Sequence, residues 1–374
     1  MTVQQKLRGT TAQYNAIDLF AGCGGLSLGL ADAGFNILYA NEINADAAET
    51  YKKNLIDRMG HNTFLDIRDI SKVTTKEILE KVGNKEIHLV AGGPPCQGFS
   101  MAGMRDIDDP RNKLFKEMLR IVKEINPPLF IMENVKGILS MGKGSVIKTI
   151  KESFEALGYE VKIEILTASD FGVPQERQRV FIIGTRIGNG VLHPTPDTMK
   201  PVTIEQAIGD LAFLGAGEES KVYKLPARSR YQRTMKDKCR ILANHESSKH
   251  SSEIIKRFSA LKPGQTTKDL PDTLKTKKVV LVRLSADKAA NTITTMPDDY
   301  VHYKTARSLT VREMARLQSF PDEFVFYGTR TTGGKRRRHA VPQYSQVGNA
   351  VPPLLARKVG GHLIKCLKMN YKPK

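Results

Sequence analysis

Cysteine is scarce in this 374-residue chain, with four residues, Cys23, Cys96, Cys239 and Cys366. They are too widely spaced for a Cys-x-x-Cys zinc site and too few to staple a chain of this length. A disulfide scaffold is excluded, each cysteine is expected as a thiol, and no metal is expected. Long apolar runs are also missing: no stretch approaches the roughly 18 residues a bilayer requires. The opening MTVQQKLRGTTAQYN lacks the apolar core of a secretion signal. No membrane partner is therefore expected, and a cytoplasmic location is. Repeats and low-complexity tracts are absent too. What is there, 40% hydrophobic and 26% charged residues, is the composition of a folded globular protein with one large or two ordinary domains.

Charge divides the chain. Residues 1–184 hold 23 basic and 23 acidic side chains, whereas 185–374 hold 35 and 16, so the whole net charge of +19 sits in the second part. That part is either a soluble basic surface or a polyanion-binding half joined to a neutral one.

The neutral part alternates strands and helices. Apolar runs at 16–21, 36–40, 88–91, 129–132, 161–166 and 180–184 predict strands, and helical periodicity predicts helices at 26–33, 76–82, 113–126 and 146–157. This rhythm implies an α/β domain, a mostly parallel sheet covered on both faces. Three prolines at 194, 196 and 201 and the turn to basic composition place a boundary near residue 190. From there to 335 periodicity is weak. The stretch 221–240, which includes Arg228, Arg230 and Arg233 with Tyr223 and Tyr231 among them, suits contact with phosphates. From Tyr344 onward the style of the first part returns. The expected division is thus 1–190 with 336–374 as one domain and 191–335 as a smaller, irregular one.

The turn DLFAGCGG at 18–25 follows a strand and opens a helix, where glycine lets the backbone approach a ligand. Glu42 ends the next strand, placed to accept hydrogen bonds from ribose hydroxyls. A plain strand-to-helix turn would look similar. A nicotinamide fingerprint would place a third glycine where this chain has Ser27. Asp18 would repel a pyrophosphate and suits the cationic amino-acid part of S-adenosylmethionine, so a methyl donor is favoured over a dinucleotide.

GGPPCQGFS at 92–100 follows the strand at 88–91, at the sheet edge where ligands bind. Cys96 there is a candidate nucleophile or an inert packed thiol. Glu133 in MENV ends another strand, either as a protonated hydrogen-bonding acid or as a capping residue. In QERQR, strand geometry would put Gln175, Arg177 and Arg179 on one face, solvated at an edge or aimed into a pocket.

Taken together, DLFAGCGG, GGPPCQGFS, MENV, QERQR, RSLTVREMARLQSFPD (307–322) and QVGNAVPP (346–353) closely resemble the motifs of cytosine-5 DNA methyltransferases, in the family's order and across nearly the whole chain. The resemblance implies a Rossmann-like S-adenosylmethionine-dependent catalytic domain, with 191–335 as target-recognition domain. It implies that Cys96 attacks carbon 6 of a cytosine flipped out of double-stranded DNA. Glu133 would bind N3 and the exocyclic amine, Asn134 would fix that loop, Arg179 would contact O2, and Arg177 would stand beside the thiolate. Cofactor contacts would come from Phe20, Gly22, Gly24, Glu42, Asp66, Pro95, Leu114 and Asn349, leaving S-adenosylhomocysteine as product. Asp66 competes with Asp69 for the adenine amine, because the family's Gly-Asp-Ile reads Leu65-Asp66-Ile67 here. Residues 97–111 correspond to a mobile loop, with Gln97 and Ser100 towards DNA, and 307–322 to a scaffold.

Two alternatives differ in kind. Transfer-RNA relatives carry a Cys-Phe-Thr signature that this chain lacks, and a silent DNA-binding regulator would show damage at Cys96, Glu133 or Arg179, all present. The compact size resembles bacterial restriction-modification or solitary enzymes, monomeric, with a cognate restriction endonuclease as a conceivable partner.

Overall fold

The computed structural model describes residues 14–95, 113–188, 193–197, 200–276, 278, 280–331 and 340–372. Two compact units emerge, the first from 1–167, 178–196 and 353–374, the second from 168–177 and 197–352.

The first unit is built on a seven-stranded sheet: β1 (Tyr14–Leu19), β2 (Phe35–Asn41), β3 (Phe64–Asp66), β4 (Leu89–Gly92), β5 (Leu129–Val135), β6 (Glu160–Thr167) and β7 (Gln178–Thr185). Their spatial order is β3-β2-β1-β4-β5-β7-β6. All pairings from β3 to β5 are parallel, and β7 runs antiparallel to both β5 and β6. The expected α/β architecture with a mostly parallel sheet is what the chain adopts. Strand order reverses between β1 and β4, the switch point beside which open sheets of this kind bind ligands.

Helices α1 (Gly25–Ala33), α2 (Ala45–Tyr51), α3 (Thr75–Lys81), α4 (Lys113–Ile125) and α5 (Ser145–Glu155) connect the strands. Ile17, Val90, Phe130, Met132, Val180 and Ile182 of the sheet pack with Ile78, Met118, Ile121, Ile150 and Phe154 of the helices into one buried cluster. Alternate strand residues share a face, so β5 supplies this layer with Phe130 and Met132 and β7 with Val180 and Ile182. On α1, a Cβ at Gly29 would lie 2.4 Å from Pro353 O and Ala356 Cβ, which places α1 directly against the helix Pro353–Asn370.

The second unit is irregular, with helices Ile204–Ile208, Arg230–Lys236, Ser252–Ala260, Val311–Leu317 and Gln343–Asn349 and pairs of two-residue strands. Phe258, Leu261, Leu270, Leu281 and Val301 form a small apolar cluster. Many further apolar side chains are buried, Phe320, Phe324 and Phe326 among them, and ion pairs are enclosed between them. Arg307 grips Glu313 through bonds of 2.8 and 2.7 Å, and Arg316 bonds Asp210 at 2.8 Å and Asp322 at 2.6 Å. All of Val311–Leu317 is buried, so the segment 307–322 holds the unit together.

The division differs from the sequence expectation in three places. The first break falls after Pro196, not near 190. Residues 168–177 join the second unit, as do the described residues of 336–352. Packing explains the last: Tyr344 Oη donates to Leu309 O, and Gln318 Nε2 donates to Val347 O.

Candidate active site

At the carboxyl edge of β1 the chain turns through Phe20 at φ 59° and Gly22 at φ 57°. Glu42, one residue beyond β2, closes this turn by accepting from Gly22 N at 2.8 Å and Asn44 N at 2.7 Å. Burial pushes its carboxyl above the ordinary range, and the two amides pull it back. Gly24 is required twice over: its φ is 96°, and a Cβ there would meet Leu55 at 2.5 Å and Tyr51 at 2.9 Å. Nothing lies within 4 Å of where a Gly22 Cβ would be. Open space above a tight turn, with a carboxylate at the next strand end, suits a nucleoside cofactor.

Asp18, near the end of β1, is 1% exposed. Its Oδ2 accepts from Ser27 Oγ at 2.6 Å, and Ser27 Oγ accepts from Tyr51 Oη at 2.9 Å. Its Oδ1 has no hydrogen-bond partner among the described residues. A buried carboxylate oxygen left unserved fits a cationic ligand group. Ser27 and Tyr51 were not anticipated as site residues, though the signal was present: Ser27 is the position at which the dinucleotide pattern failed.

Asp66 ends β3 beside Glu42, whose N donates to Asp66 O at 3.0 Å. Burial would raise its carboxyl, but Arg68 and Tyr39 outweigh that and hold it low. Arg68 Nη2 lies 2.8 Å and Tyr39 Oη 3.0 Å from Oδ2, so an adenine amine would share an acceptor already in use. The competing Asp69 caps its own turn, accepting from Ser71 N at 2.9 Å.

The second cluster gathers around β5. Glu133, 8% exposed, meets Arg179 of β7, with Arg179 Nε 3.0 Å from Glu133 Oε1. Burial lowers the Arg179 pKa and Glu133 opposes the shift. A Cβ at Gly93 would stand 3.2 Å from Glu133 Oε2, so the glycine admits the carboxylate beside the Gly-Pro-Pro turn. Asn134 Nδ2 donates to Pro94 O at 3.0 Å and ties that turn to β5. Pro95 is exposed, and Leu114 is half-buried against the core.

The expectation that Gln175, Arg177 and Arg179 share one face is corrected. The strand breaks after Glu176: Gln175–Glu176 pairs with Ala290–Asn291 in the second unit, whereas β7 belongs to the central sheet. Arg177 is 0% exposed and donates to Ile293 O at 3.0 Å and Gly348 O at 2.7 Å, and the thiolate it was expected beside lies outside the described residues. Arg177 is a staple within the second unit. Gln175 behaves alike, donating to Gln318 Oε1 at 2.6 Å. Same-face alternation cannot cross a turn.

Asn349 lies exposed at the end of the helix Gln343–Asn349 in the second unit. Arg228, Arg230 and Arg233 are all exposed, the last two on the helix Arg230–Lys236. Tyr223 and Tyr231 turn away from them, bonding Asp322 Oδ2 and Arg316 O at 2.6 Å each. The exposed face of this stretch is therefore more purely basic than the sequence suggested. Cys96, Gln97, Ser100 and the rest of 97–111 lie outside the described residues. Cys23, Cys239 and Cys366 stand outside any disulfide, and burial pushes the Cys23 thiol up to about 12. Among the described residues no group of His, Cys, Asp and Glu clusters as a metal site would require, and no helix is long and apolar enough to cross a membrane.

Comparison with known proteins agrees with this geometry. The family model described as C-5 cytosine-specific DNA methylase matches residues 14–365. The chain is 38% identical over 357 residues to the Type II methyltransferase M1.HphI of Haemophilus parahaemolyticus, covering 93% of this chain and 86% of the relative. It is also 38% identical over 368 residues to M.DdeI of Desulfomicrobium norvegicum, covering 92% and 86%. Among solved structures, a prophage-encoded E. coli protein described as a DNA modification methyltransferase superposes with a TM-score of 0.77 at 29% identity, over 95% of this chain and all of that one. The S. pombe Dnmt2 methyltransferase, at 18% identity and a TM-score of 0.58, shares the fold.

Proposed function

The chain belongs to the C-5 cytosine-specific DNA methylases and transfers a methyl group from S-adenosylmethionine to cytosine in DNA, and from that premise we propose that Cys96 performs the transfer as a covalent nucleophile, with Glu133 and Arg179 holding the base. The pair Arg179–Glu133, buried between β7 and β5 with Asn134 tethered to Pro94 two residues before Cys96, carries this reading.

Cytosine carbon 5 is too weak a nucleophile to take a methyl group unaided. The Cys96 thiolate adds to carbon 6, and the electron pair of the 5,6 double bond becomes enamine density at carbon 5. Glu133 hydrogen-bonds N3 and the exocyclic amine, and Arg179 holds O2, so charge developing on the ring meets fixed partners in a site with little water. S-adenosylmethionine supplies the electrophilic methyl group. Loss of the carbon 5 proton then restores the double bond and expels the Cys96 thiolate. Inside a duplex carbon 6 is shielded by stacking, so the target base must leave the helix to meet these groups.

Asp18, Phe20, Gly22, Gly24 and Glu42 form the cofactor cradle. The motif correspondence assigns Asp66, Pro95, Leu114 and Asn349 to the same role. Arg228, Arg230 and Arg233, with Gln97 and Ser100, neutralise DNA phosphates, and the second unit selects the target sequence. A cytoplasmic, monomeric enzyme of a restriction-modification system, acting on double-stranded DNA at the site of a cognate endonuclease, completes the reading.

The test is transfer of a labelled methyl group to unmethylated duplex DNA of mixed sequence, with Cys96→Ser and transfer RNA in parallel. Label is expected as 5-methylcytosine in DNA and absent in the variant. Full transfer by Cys96→Ser would overturn the nucleophile.

A further inference from the structure

The strand pair β5–β7 carries two side-chain contacts in succession, and the methyl transfer derived above engages only the first. In that one Arg179 Nε lies 3.0 Å from Glu133 Oε1, with both side chains largely enclosed. In the second, Lys136 Nζ donates to Gln178 Oε1 at 3.0 Å, and both residues are exposed. We propose that Lys136, steadied by Gln178, is a positioning residue that grips a phosphodiester of the target nucleotide while Glu133 and Arg179 hold its base. This rests on the assignment of Glu133 and Arg179 to the base.

Register fixes the placement. Val135, the last residue of β5, lies opposite Arg179, and Gln178 is the first residue of β7. Lys136 therefore enters its contact from the carboxyl end of β5, one step further along the same ladder. From Glu133 to Lys136 an extended chain covers about 10 Å, and the lysine stem adds to that reach. A nucleotide whose base edge meets Glu133 thus brings its backbone towards Lys136. The target base leaves the duplex with its two phosphates still attached, so a contact at this place acts on the flipped nucleotide itself.

Charge sets this lysine apart from those on the neighbouring elements. On α5 Lys148 lies 3.7 Å from Glu152 and Lys151 lies 3.6 Å from Glu155, and on β6 Lys162 lies 3.0 Å from Glu160. Lys136 meets a neutral amide instead, and among the described residues no carboxylate pairs with it. Glu133, three residues away, is committed to Arg179. The amide orients the ammonium without neutralising it. Two of the ammonium's three N–H donors remain, and Gln178, which accepts through Oε1, keeps its NH2 group for a ligand. One positive charge flanked by neutral donors matches a phosphodiester, whose single negative charge is spread over two oxygens. Such a contact fixes the position of nucleic acid without reading its sequence.

Neutralising phosphates one at a time tests this. Duplexes carry the target site mapped by methyl transfer, with the phosphate 5′ or 3′ of the target cytosine replaced by an uncharged methylphosphonate. For the wild type, one of the two replacements should weaken binding about tenfold. Lys136→Ala should bind the unmodified duplex about tenfold more weakly and reduce the slope of log affinity against log salt by about one. With the methylphosphonate to which the wild type responds, it should lose nothing further. Lys136→Arg should restore affinity and that response, and Gln178→Ala should weaken binding less, with the slope unchanged. Both side chains are exposed, so thermal melts of the variants should match the wild type.

If neither methylphosphonate affects the wild type, or if Lys136→Ala responds to both as the wild type does, the lysine does not hold the target nucleotide and the inference is overturned. The second result overturns it even where Lys136→Ala lowers the salt slope, because the lysine then meets a phosphate elsewhere. Glu133→Gln separates this from the reading beneath it. Unimpaired methyl transfer by that variant removes the base-holding pair and the inference with it, whereas impaired transfer beside an unchanged phosphate response of Lys136→Ala overturns the inference alone.

Discussion

Arg179 Nε lies 3.0 Å from Glu133 Oε1, and each side chain is little more than a tenth exposed. A pair so enclosed is poorly hydrated, and a ring that takes hydrogen bonds from both members meets donors and acceptors already fixed in place. Glu133→Gln and Arg179→Ala should each lower single-turnover methyl transfer at least about 100-fold. Because the two act on one ring and on each other, the double variant should be far less impaired than the product of the single effects. Multiplicative loss would mean that they act independently.

DNA affinity should depend steeply on salt. Arg228, Arg230 and Arg233 project from a face whose tyrosines are turned inward, so their contribution is charge rather than stacking. Replacing all three by alanine should reduce the slope of log affinity against log salt by about three and weaken all sequences alike. The check is a titration at several salt concentrations with target and non-target duplexes. Loss confined to the target duplex would indicate base contact instead.

The second unit should be sensitive to acid. Burial would raise the Glu313 carboxyl, but Arg307 and His302 outweigh it and hold it down to about 2. Burial also pushes His245 down to about 4 and His302 to about 3. For the glutamate, stabilisation is complete above its unfolded pKa and disappears as pH falls towards the folded one. For the two histidines, the unfolded chain takes up protons from about pH 6.5 downward while the folded chain does not. All three shifts have the same sign, so urea midpoints should fall continuously from pH 7 to pH 4. Arg307→Met would strand Glu313 and cost about 3–5 kcal/mol at pH 7, read from the same denaturation curves.

Gly29→Val should destabilise the first unit. A Cβ there already meets Pro353 O and Ala356 Cβ at 2.4 Å, and backbone cannot retreat as a flexible side chain could. Overpacking of this kind costs at least about 2 kcal/mol. Thermal melts should show the loss, whereas Gly361→Ala, on the same C-terminal helix with nothing within 4 Å of its Cβ, should not.

How much of this was legible in the sequence followed the type of signal. Buried strands of a parallel sheet are apolar on both faces, so β1, β2, β4 and β5 announced themselves as runs, as did the buried antiparallel β7, whereas the edge strand β6 showed through alternation; all differ from expectation by a few residues at their ends. β3 did not, because three residues beginning with an exposed Phe64 carry no run. The short α2 and the π-helical turn Lys52–Arg58 were missed for the same reason of length. Glu42, Glu133 and Asp18 were legible as carboxylates at strand ends. The shared face of Gln175, Arg177 and Arg179 did not form because alternation assumes an unbroken strand, and the break between Glu176 and Gln178 leaves no mark in residue type. The scaffold role of 307–322 was legible only through the resemblance: charged residues such as Arg307, Glu313 and Arg316 ordinarily lie at a surface, and pairing let the fold enclose them.

The contact at Gly29 also bears on the order in which the protein can be finished. The helix Pro353–Asn370 that covers α1 leaves the ribosome after the entire stretch 197–352, which forms the greater part of the other unit. Leu26, Leu28 and Leu30 of α1 are buried in the finished molecule, yet throughout synthesis of that stretch the groove at Gly29 awaits its partner. The first unit is thus the last to be completed, although β1 is made before any of 197–352, and a nascent chain stalled before residue 353 would hold the residues of the second unit without a finished first one.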